Sequence, residues 1–597
     1  MAGLLGIVGE GSLGELRAMA LRMAYRGRYL STSNPAPGVY LGELHRRPGH
    51  RQSSSTLFLD TNGPLYPRDP FTTASPADAE EREQRRLELD LQRRGISALR
   101  DVSGHFALVF WDAATNTVSL ACDRQKFKTL YYVGLHGRIA FATDYKALLA
   151  LPDCPAEVDR DVLQTYLGLL SCPDGRSLLK NVIPLTRATV LKVQGGRCSV
   201  ERFWSPHRRH PERSFRDAAQ SLRTTLETSV ARQLAGHGRA GLMLGGGLDS
   251  TALLALVRHV RPDLEVATYT IGHGATDPEI VGARATAAHF RTEHREHFFS
   301  VKELSIELPK LVWLTEDLSG REEALLQRVI TVLASARDRV ILAGHGADMV
   351  FGGMPRHRIL WLHDRAPPPL RGALSELYVY ARYKSMPRSW LGRRLVARAY
   401  RGDLPEPPPV IGANAVIVSE AYESLDRYME EHNTSAASFY YHEPLHAQLD
   451  TTLLIPFLDP EVTEFALGCP GNYHIGLRAQ KRLLRAAVQD LLPGFVLSRR
   501  KAIQRLKHGI ELSDAIDSIA DELDLAQALA SRDLISMEYV KTLRVRPSGS
   551  AISRERLHIL WALISAELWM RQFIDARGKP IVSFDVGLTE VQAQGVG

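Results

Sequence analysis

Leu244-Gly245-Gly246-Gly247-Leu248-Asp249-Ser250 follows the apolar run Gly241-Leu-Met-Leu244 and leads into a helical pattern over residues 250–260. Three successive glycines let the backbone turn tightly and bring its N–H groups close to an oxyanion, and a helix opening at Ser250 adds its positive end at the same point. The stretch reads as a pyrophosphate cradle between a strand and a helix. No Gly-Lys-Ser/Thr follows, which excludes a Walker A loop, and the spacing is not Gly-x-Gly-x-x-Gly. A carboxylate beside a phosphate nest is unfavourable unless a cation lies between them, so Asp249 reads as a Mg²⁺ ligand. The plain alternative is a tight turn that holds no ligand.

Downstream, the pattern alternates: a strand over 264–271, a helix over 279–290, and a further strand at Val340-Ile-Leu-Ala343. Strand and helix in strict alternation predict a parallel sheet with helices on both faces. From about residue 356 the pattern is mainly helical, with a Pro-rich break at 404–409. Upstream, a helical pattern over 214–234 follows the Pro- and Arg-rich joint Phe203-Trp-Ser-Pro-His-Arg-Arg-His-Pro-Glu-Arg213, where we place a domain boundary.

Before the joint the chain reads as mostly β, with short runs at Gly38-Val-Tyr-Leu-Gly42, Thr56-Leu-Phe-Leu-Asp60, His105-Phe-Ala-Leu-Val-Phe-Trp111, Val118-Ser-Leu-Ala-Cys122, Thr129-Leu-Tyr-Tyr-Val133 and Arg138-Ile-Ala-Phe-Ala142. Helical patterns over 13–26 and 79–94 make this a layered α+β domain, and 64–76 reads as a loop. The expected organisation is a domain over 1–205, a second over 206–575, and a tail over 576–597.

At 597 residues, with 44% hydrophobic and 24% charged, the composition is that of a globular protein. The first ten residues lack the basic region of a signal peptide, and no apolar run is long enough for a membrane span. Five scattered cysteines without Cys-x-x-Cys spacing suit a reduced, cytoplasmic protein and exclude a zinc ribbon. A net charge of +7 is modest for this length, and no nucleic-acid-binding module is present.

The glycine loop is similar to the Ser-Gly-Gly-x-Asp-Ser loop of ATP pyrophosphatases, with Gly245 in place of the usual Ser. Leu342-Ala-Gly-His-Gly-Ala-Asp-Met-Val-Phe-Gly-Gly353 resembles the Ser-Gly-Glu-Gly-Ala-Asp-Glu-x-Phe-Gly-Gly block of asparagine synthetases. Ile455-Pro-Phe-Leu-Asp-Pro-Glu-Val462 resembles their Val-Pro-Phe-Leu-Asp block, and Lys481-Arg-Leu-Leu-Arg485 followed by Leu492-Pro and Arg499-Arg-Lys501 matches two lysine-bearing segments in order.

The resemblance implies a glutaminase-like α+β domain of the N-terminal nucleophile type, followed by an α/β ATP pyrophosphatase domain. It also implies a reaction. A carboxylate attacks the α-phosphorus of ATP, pyrophosphate leaves, and an amine opens the acyl-adenylate. Asp249 and Asp348 would hold Mg²⁺, and Gly245 to Ser250, including Gly246, Gly247 and Leu248, would cradle the phosphates with help from Lys481. Lys501 would stabilise the adenylate or the tetrahedral oxyanion. Adenine would lie along Leu242, Leu244 and Thr270-Ile271-Gly272, with Gly344 near the ribose. For both lysines the plain alternative is a solvated surface charge.

Asparagine synthetases carry Glu where this chain has His345, and β-lactam-forming relatives carry Tyr. A histidine with an ordinary pKa could take the proton that an amine must lose before it attacks, or it could merely hydrogen-bond the loop.

The front domain resembles the glutaminase of the same family at Gly6-Ile-Val-Gly9, Gly104-His-Phe-Ala-Leu-Val-Phe-Trp-Asp112 and Phe141-Ala-Thr-Asp-Tyr-Lys-Ala-Leu-Leu149. That activity needs a cysteine nucleophile at position 2, but residue 2 here is Ala2, the residue before the matched Gly6 is Leu5, and no cysteine occurs before Cys122. The Asn-Gly-Glu-Ile-Tyr-Asn block is also expected to be missing, its region reading Leu65-Tyr-Pro-Arg-Asp-Pro-Phe71.

Three enzyme classes remain: an ammonia-using asparagine synthetase, a β-lactam synthetase, and a lasso peptide cyclase that joins an Asp or Glu side chain of a precursor peptide to that peptide's N-terminal amine. A non-enzymatic peptide-binding scaffold is the fourth reading. Thr452-Leu-Leu-Ile455 stands where asparagine synthetases usually read Glu-Val-Arg-Val, so an arginine suited to a free amino acid is lost. The stretch 365–401 carries Arg371, Arg382, Lys384, Arg388, Arg393, Arg394, Arg398 and Arg401 among Tyr378, Tyr380, Tyr383 and Trp390, a surface that suits a peptide. Phe439-Tyr-Tyr-His-Glu-Pro-Leu-His446 is a second aromatic candidate. These features favour the lasso cyclase, with ATP and Mg²⁺ as cofactors and a precursor peptide, a leader peptidase and a leader-binding protein as partners.

Overall fold

The computed structural model describes residues 2–46, 56–66, 76–169, 172, 175–205, 214–318, 322–383, 394, 410–413, 425, 441–477, 479–499, 506–582 and 592–594. The strands, numbered along the chain, are β1 (Gly3–Gly9), β2 (Tyr29–Ala36), β3 (Val39–His45), β4 (Leu57–Asn62), β5 (His105–Asp112), β6 (Thr117–Cys122), β7 (Tyr131–Leu135), β8 (Arg138–Ala142), β9 (Ile183–Pro184), β10 (Thr189–Gln194), β11 (Arg197–Arg202), β12 (Arg239–Met243), β13 (Glu265–Gly272), β14 (Glu293–Phe298), β15 (Val340–Ala343), β16 (Thr452–Leu454) and β17 (Gln592–Gln594).

Alternation along single strands builds the front half. In β5, Ala107 and Val109 enter one buried cluster while Phe106, Leu108 and Phe110 enter another, because successive side chains leave opposite faces of a sheet. Ala107 and Val109 meet Leu4 and Leu41, so the sheet β11-β10-β6-β5-β4 packs face to face on the sheet β17-β2-β3-β1-β8-β7-β9. The outer faces are covered by helix Pro76–Arg94, through Leu87 and Leu91, and by helix Leu13–Arg22, through Leu16, Met19 and Ala20. The result is a four-layer α+β domain. Two expectations shift. The first helix stops at Arg22 and hands over to a turn, and the region of the glutaminase block is only partly replaced. There β4 ends in Asn62, turns at Gly63 (φ +79°) and continues Pro64-Leu65-Tyr66, so Asn, Gly and Tyr keep step and Pro64 stands for the Glu.

Helix Phe215–Gln233, capped by Ser214, opens the second half; residues 206–213 of the joint lie outside the described residues. Five strands then pair in the order β14-β13-β12-β15-β16, all parallel. The first of them in sequence, β12, lies in the middle, with β13 on one side and β15 on the other. Strand order therefore reverses at the β12/β15 pair, and the crevice beyond the carboxyl ends of those two strands is where open parallel sheets bind ligands. β17 joins the edge of the front sheet beside β2, and Trp313 Nε1 donates to the Gly578 carbonyl at 3.0 Å, so parts of 576–597 pack on the body of the protein.

A buried ionic network joins the halves. Arg26 reaches both Asp144 (2.6 Å) and Glu443 (2.7 Å), and Lys128 Nζ lies 2.8 Å from Asp60 and 2.8 Å from Glu443. Arg46 donates to the Gln448 carbonyl at 2.9 Å and to that of Ala447. Front-domain cations thus hold helix His442–Gln448 at both ends. Among the described residues no helix is long and apolar enough to cross a membrane, and no cysteine forms a disulfide.

Candidate active site

The loops after β12 and β15 meet because glycines let them. A Cβ on Gly344 would come within 3.0 Å of the Ser250 nitrogen, and one on Gly346 (φ +88°) would strike Leu458 at 2.4 Å. Helix Leu248–Val260 starts two residues earlier than the sequence pattern suggests, so Asp249 and Ser250 lie in its first turn. Ser250 Oγ accepts the Gly245 N–H at 3.2 Å and closes the loop on itself.

Between the loops lies a cleft of 540 Å³. Leu244, Gly245, Gly247, Leu248, Asp249, Ser250, Ile271, Gly344, His345, Asp348 and Lys481 line it, as do Gln327, Gly353, Arg485 and Arg499. Four named residues stand behind it instead. Leu242 is fully buried within β12 and Thr270 Oγ1 is turned onto the Leu244 carbonyl. Gly272 packs against Ile280, and Gly246 (φ +62°) offers its carbonyl to Arg499 at 2.7 Å. Lys501 lies outside the described residues, as do 384–393 and 395–401 of the basic stretch. In its described part, helix Pro368–Tyr383, Tyr378 is buried against Leu360, Leu425 and Leu467.

Lys481 organises the charge. It has left-handed backbone angles (φ 55°, ψ 36°), which cost a non-glycine residue about 1–2 kcal/mol. That conformation puts Nζ 2.6 Å from Asp249 and 2.6 Å from Asp348. Burial opposes its charge, but the two carboxylates more than offset that and raise its pKa. Gly353 makes room for the trio, since a Cβ there would lie 2.0 Å from Asp348 Oδ1 and 2.2 Å from Lys481 Cε. Two hard oxygen donors converging where a cation already sits form a donor set that fits Mg²⁺, with phosphate and water completing its shell.

His345 packs on His442 with ring centroids 4.3 Å apart, and His446 follows at 6.4 Å from His442. Burial pushes His345 down to about 4, with Asp348 opposing, so it is neutral at pH 7 and a weaker base than an exposed imidazole. The histidines of the run beginning at Phe439 are thereby brought to the site, although 439–440 lie outside the described residues.

Sequence reasoning missed Glu279 and Arg499 as site residues. Glu279 stands in the first turn of helix Pro278–Phe290 and faces Gly245, and Arg499 ties the Gly246 and Pro278 carbonyls together. The signal was the missing side chain at Gly245, which leaves room for another group.

The profile of the asparagine synthase family matches residues 221–571, and that of a glutamine amidotransferase domain matches 88–204. The chain belongs to the asparagine synthase family. It is an ATP-dependent, AMP-forming carbon–nitrogen ligase with an amidotransferase-like front domain. Glutamine-hydrolysing asparagine synthetase 3 of Bacillus subtilis is 26% identical over 443 residues, covering 70% of this chain and 69% of that one. The carboxyethyl-arginine β-lactam synthase of Streptomyces clavuligerus is 28% identical over 312 residues, covering 51% and 56%. The solved glutamine phosphoribosylpyrophosphate amidotransferase of B. subtilis, complexed with ADP and GMP, covers 51% of this chain and 91% of its own at 12% identity and a TM-score of 0.25.

Proposed function

We propose that this ligase is a lasso peptide cyclase, activating an Asp or Glu side chain of a precursor peptide as its adenylate and joining it to the peptide's own N-terminal amine. Ala2 is the observation that carries this reading. It stands immediately before β1 with its N–H donating to Asp60 at 2.8 Å, and neither it nor Leu5, the residue before the matched Gly6, is the cysteine that the family's glutaminase needs, so the chain keeps the amidotransferase fold without that nucleophile to release ammonia. The amine must then come from elsewhere. Leu454, in place of the arginine suited to a free amino acid, supports a larger acyl substrate.

In this mechanism the N–H groups of the Gly245–Ser250 loop hold the phosphates, and Lys481 meets the charge that develops on the departing pyrophosphate. Mg²⁺, when bound by Asp249 and Asp348, would offset the same charge. His345 lines the cleft in its neutral form and would accept the proton of the attacking amine. A leader peptidase and a leader-binding protein would supply the trimmed peptide.

The test is Mg²⁺-dependent ATP–pyrophosphate exchange with two substrates: L-aspartate plus ammonium, and a synthetic peptide with a free N-terminus and an internal acidic residue, taken from a precursor reading frame beside this gene. Exchange driven by the peptide, with a product lighter by one water, supports the reading. Exchange driven by L-aspartate with asparagine as product overturns it.

A further inference from the structure

Gly245 has no left-handed backbone angle to explain it, and a Cβ built there would meet a single group within ordinary contact range, the Glu279 carboxyl, with Oε2 at 2.8 Å. Glu279 comes from the first turn of helix Pro278–Phe290, its backbone N–H bonded to the capping Asp277 at 2.8 Å. Its side chain is only 15% exposed, and the residue lines the cleft beside the phosphate loop. Among the described residues Arg499 is the cation paired with it, at 3.7 Å, but the guanidinium also donates to the Gly246 and Pro278 carbonyls. A bare carboxylate in that position would repel a triphosphate. A carboxylic acid would instead present an O–H to it.

We propose that Glu279 binds ATP in its protonated form and donates a hydrogen bond to the phosphate chain from the room that a side chain at position 245 would fill. The surroundings favour the proton: burial raises the Glu279 carboxyl to about 7, Asp277 pushes the same way, and Arg499 opposes. Across the cleft Asp249 and Asp348 are matched by Lys481. An arriving polyphosphate adds negative charge and holds the proton more firmly. The inference concerns the nucleotide and is independent of which carboxylate the enzyme activates.

The sign of the pH effect follows. Affinity for ATP is full below the carboxyl's pKa and falls as pH rises through it. Titration calorimetry of MgATP binding to the full chain, from pH 6 to pH 9, tests this in wild type, Glu279→Gln, Glu279→Ala and the double variant Gly245→Ser/Glu279→Ala. Dividing wild-type by Glu279→Gln affinity at each pH cancels the ionisation of ATP itself. We expect that ratio to fall by about tenfold across neutrality, because Gln keeps a donor that does not titrate. Glu279→Ala should bind about tenfold more weakly than Glu279→Gln at pH 8, and the serine hydroxyl of the double variant should recover most of that loss. A flat ratio, Glu279→Gln as weak as Glu279→Ala, or a double variant no better than Glu279→Ala would each overturn the proposal.

Discussion

Lys128→Met offers a sharp test of how the two halves are joined. Lys128 Nζ is fully buried between Asp60 and Glu443, at 2.8 Å from each. Glu443 does not depend on it alone, since Arg26 donates to both of its oxygens at 2.7 Å. Burial works against the Glu443 charge, but Arg26 and Lys128 together hold its pKa far below the usual carboxylate range. Asp60 is less well served: beyond Lys128 it has the Ala2 N–H on one oxygen, and it is fully buried. Methionine keeps the volume and removes the charge, leaving Asp60 as an uncompensated buried carboxylate. Breaking a buried pair in this way costs about 3–5 kcal/mol. Adding Asp60→Asn removes the orphan charge while Oδ1 still accepts from Ala2, so the double variant should regain about 2 kcal/mol or more of that loss. Urea unfolding followed by tryptophan fluorescence reads both, because Trp313 is buried against Tyr25 where the halves meet, with ring centroids 5.4 Å apart. A loss under about 1 kcal/mol for Lys128→Met, or strictly additive losses in the pair, would refute the reasoning.

Two further outcomes are expected. His345→Ala should leave ATP–pyrophosphate exchange within about threefold of wild type while slowing amide formation by about a hundredfold or more, as removal of a general base does; equal loss of both steps, measured by exchange and by quenched product assay, would exclude the role. Gly353→Ala should cut exchange by about a hundredfold, since its methyl would separate Asp348 from Lys481, yet cost only about 1–3 kcal/mol in unfolding; exchange near the wild-type rate would show that this trio is not needed as drawn.

The loop at 244–250, the parallel sheet around it and the block at 342–353 were legible because each depends on local order: three glycines in a row, an apolar run just before them, and acids at fixed offsets from a strand end. The family resemblance also implied nucleotide contacts, mainly through the backbone, at Leu242, Thr270 and Gly272. The structure places them behind the cleft, since closeness to a loop in sequence does not say which side of a sheet faces the ligand. The glutaminase block illustrates the same limit. Asn62-Gly63 is in register with it, but only the end of β4 and the positive φ of Gly63 make the correspondence visible.

The order of elements, the glycine loop with its acids at 249 and 348, and the absence of a cysteine before Cys122 can be read from the amino acids alone. Partnerships across long separations came from packing: Lys481 between Asp249 and Asp348, Glu279 in the space left by Gly245, His442 against His345, and Arg26 and Lys128 on Glu443. Local patterns set backbone conformation within a few residues. A buried charge finds its partner only when the chain has closed loops of up to several hundred residues, and the partner is chosen by where the packed strands and helices leave it.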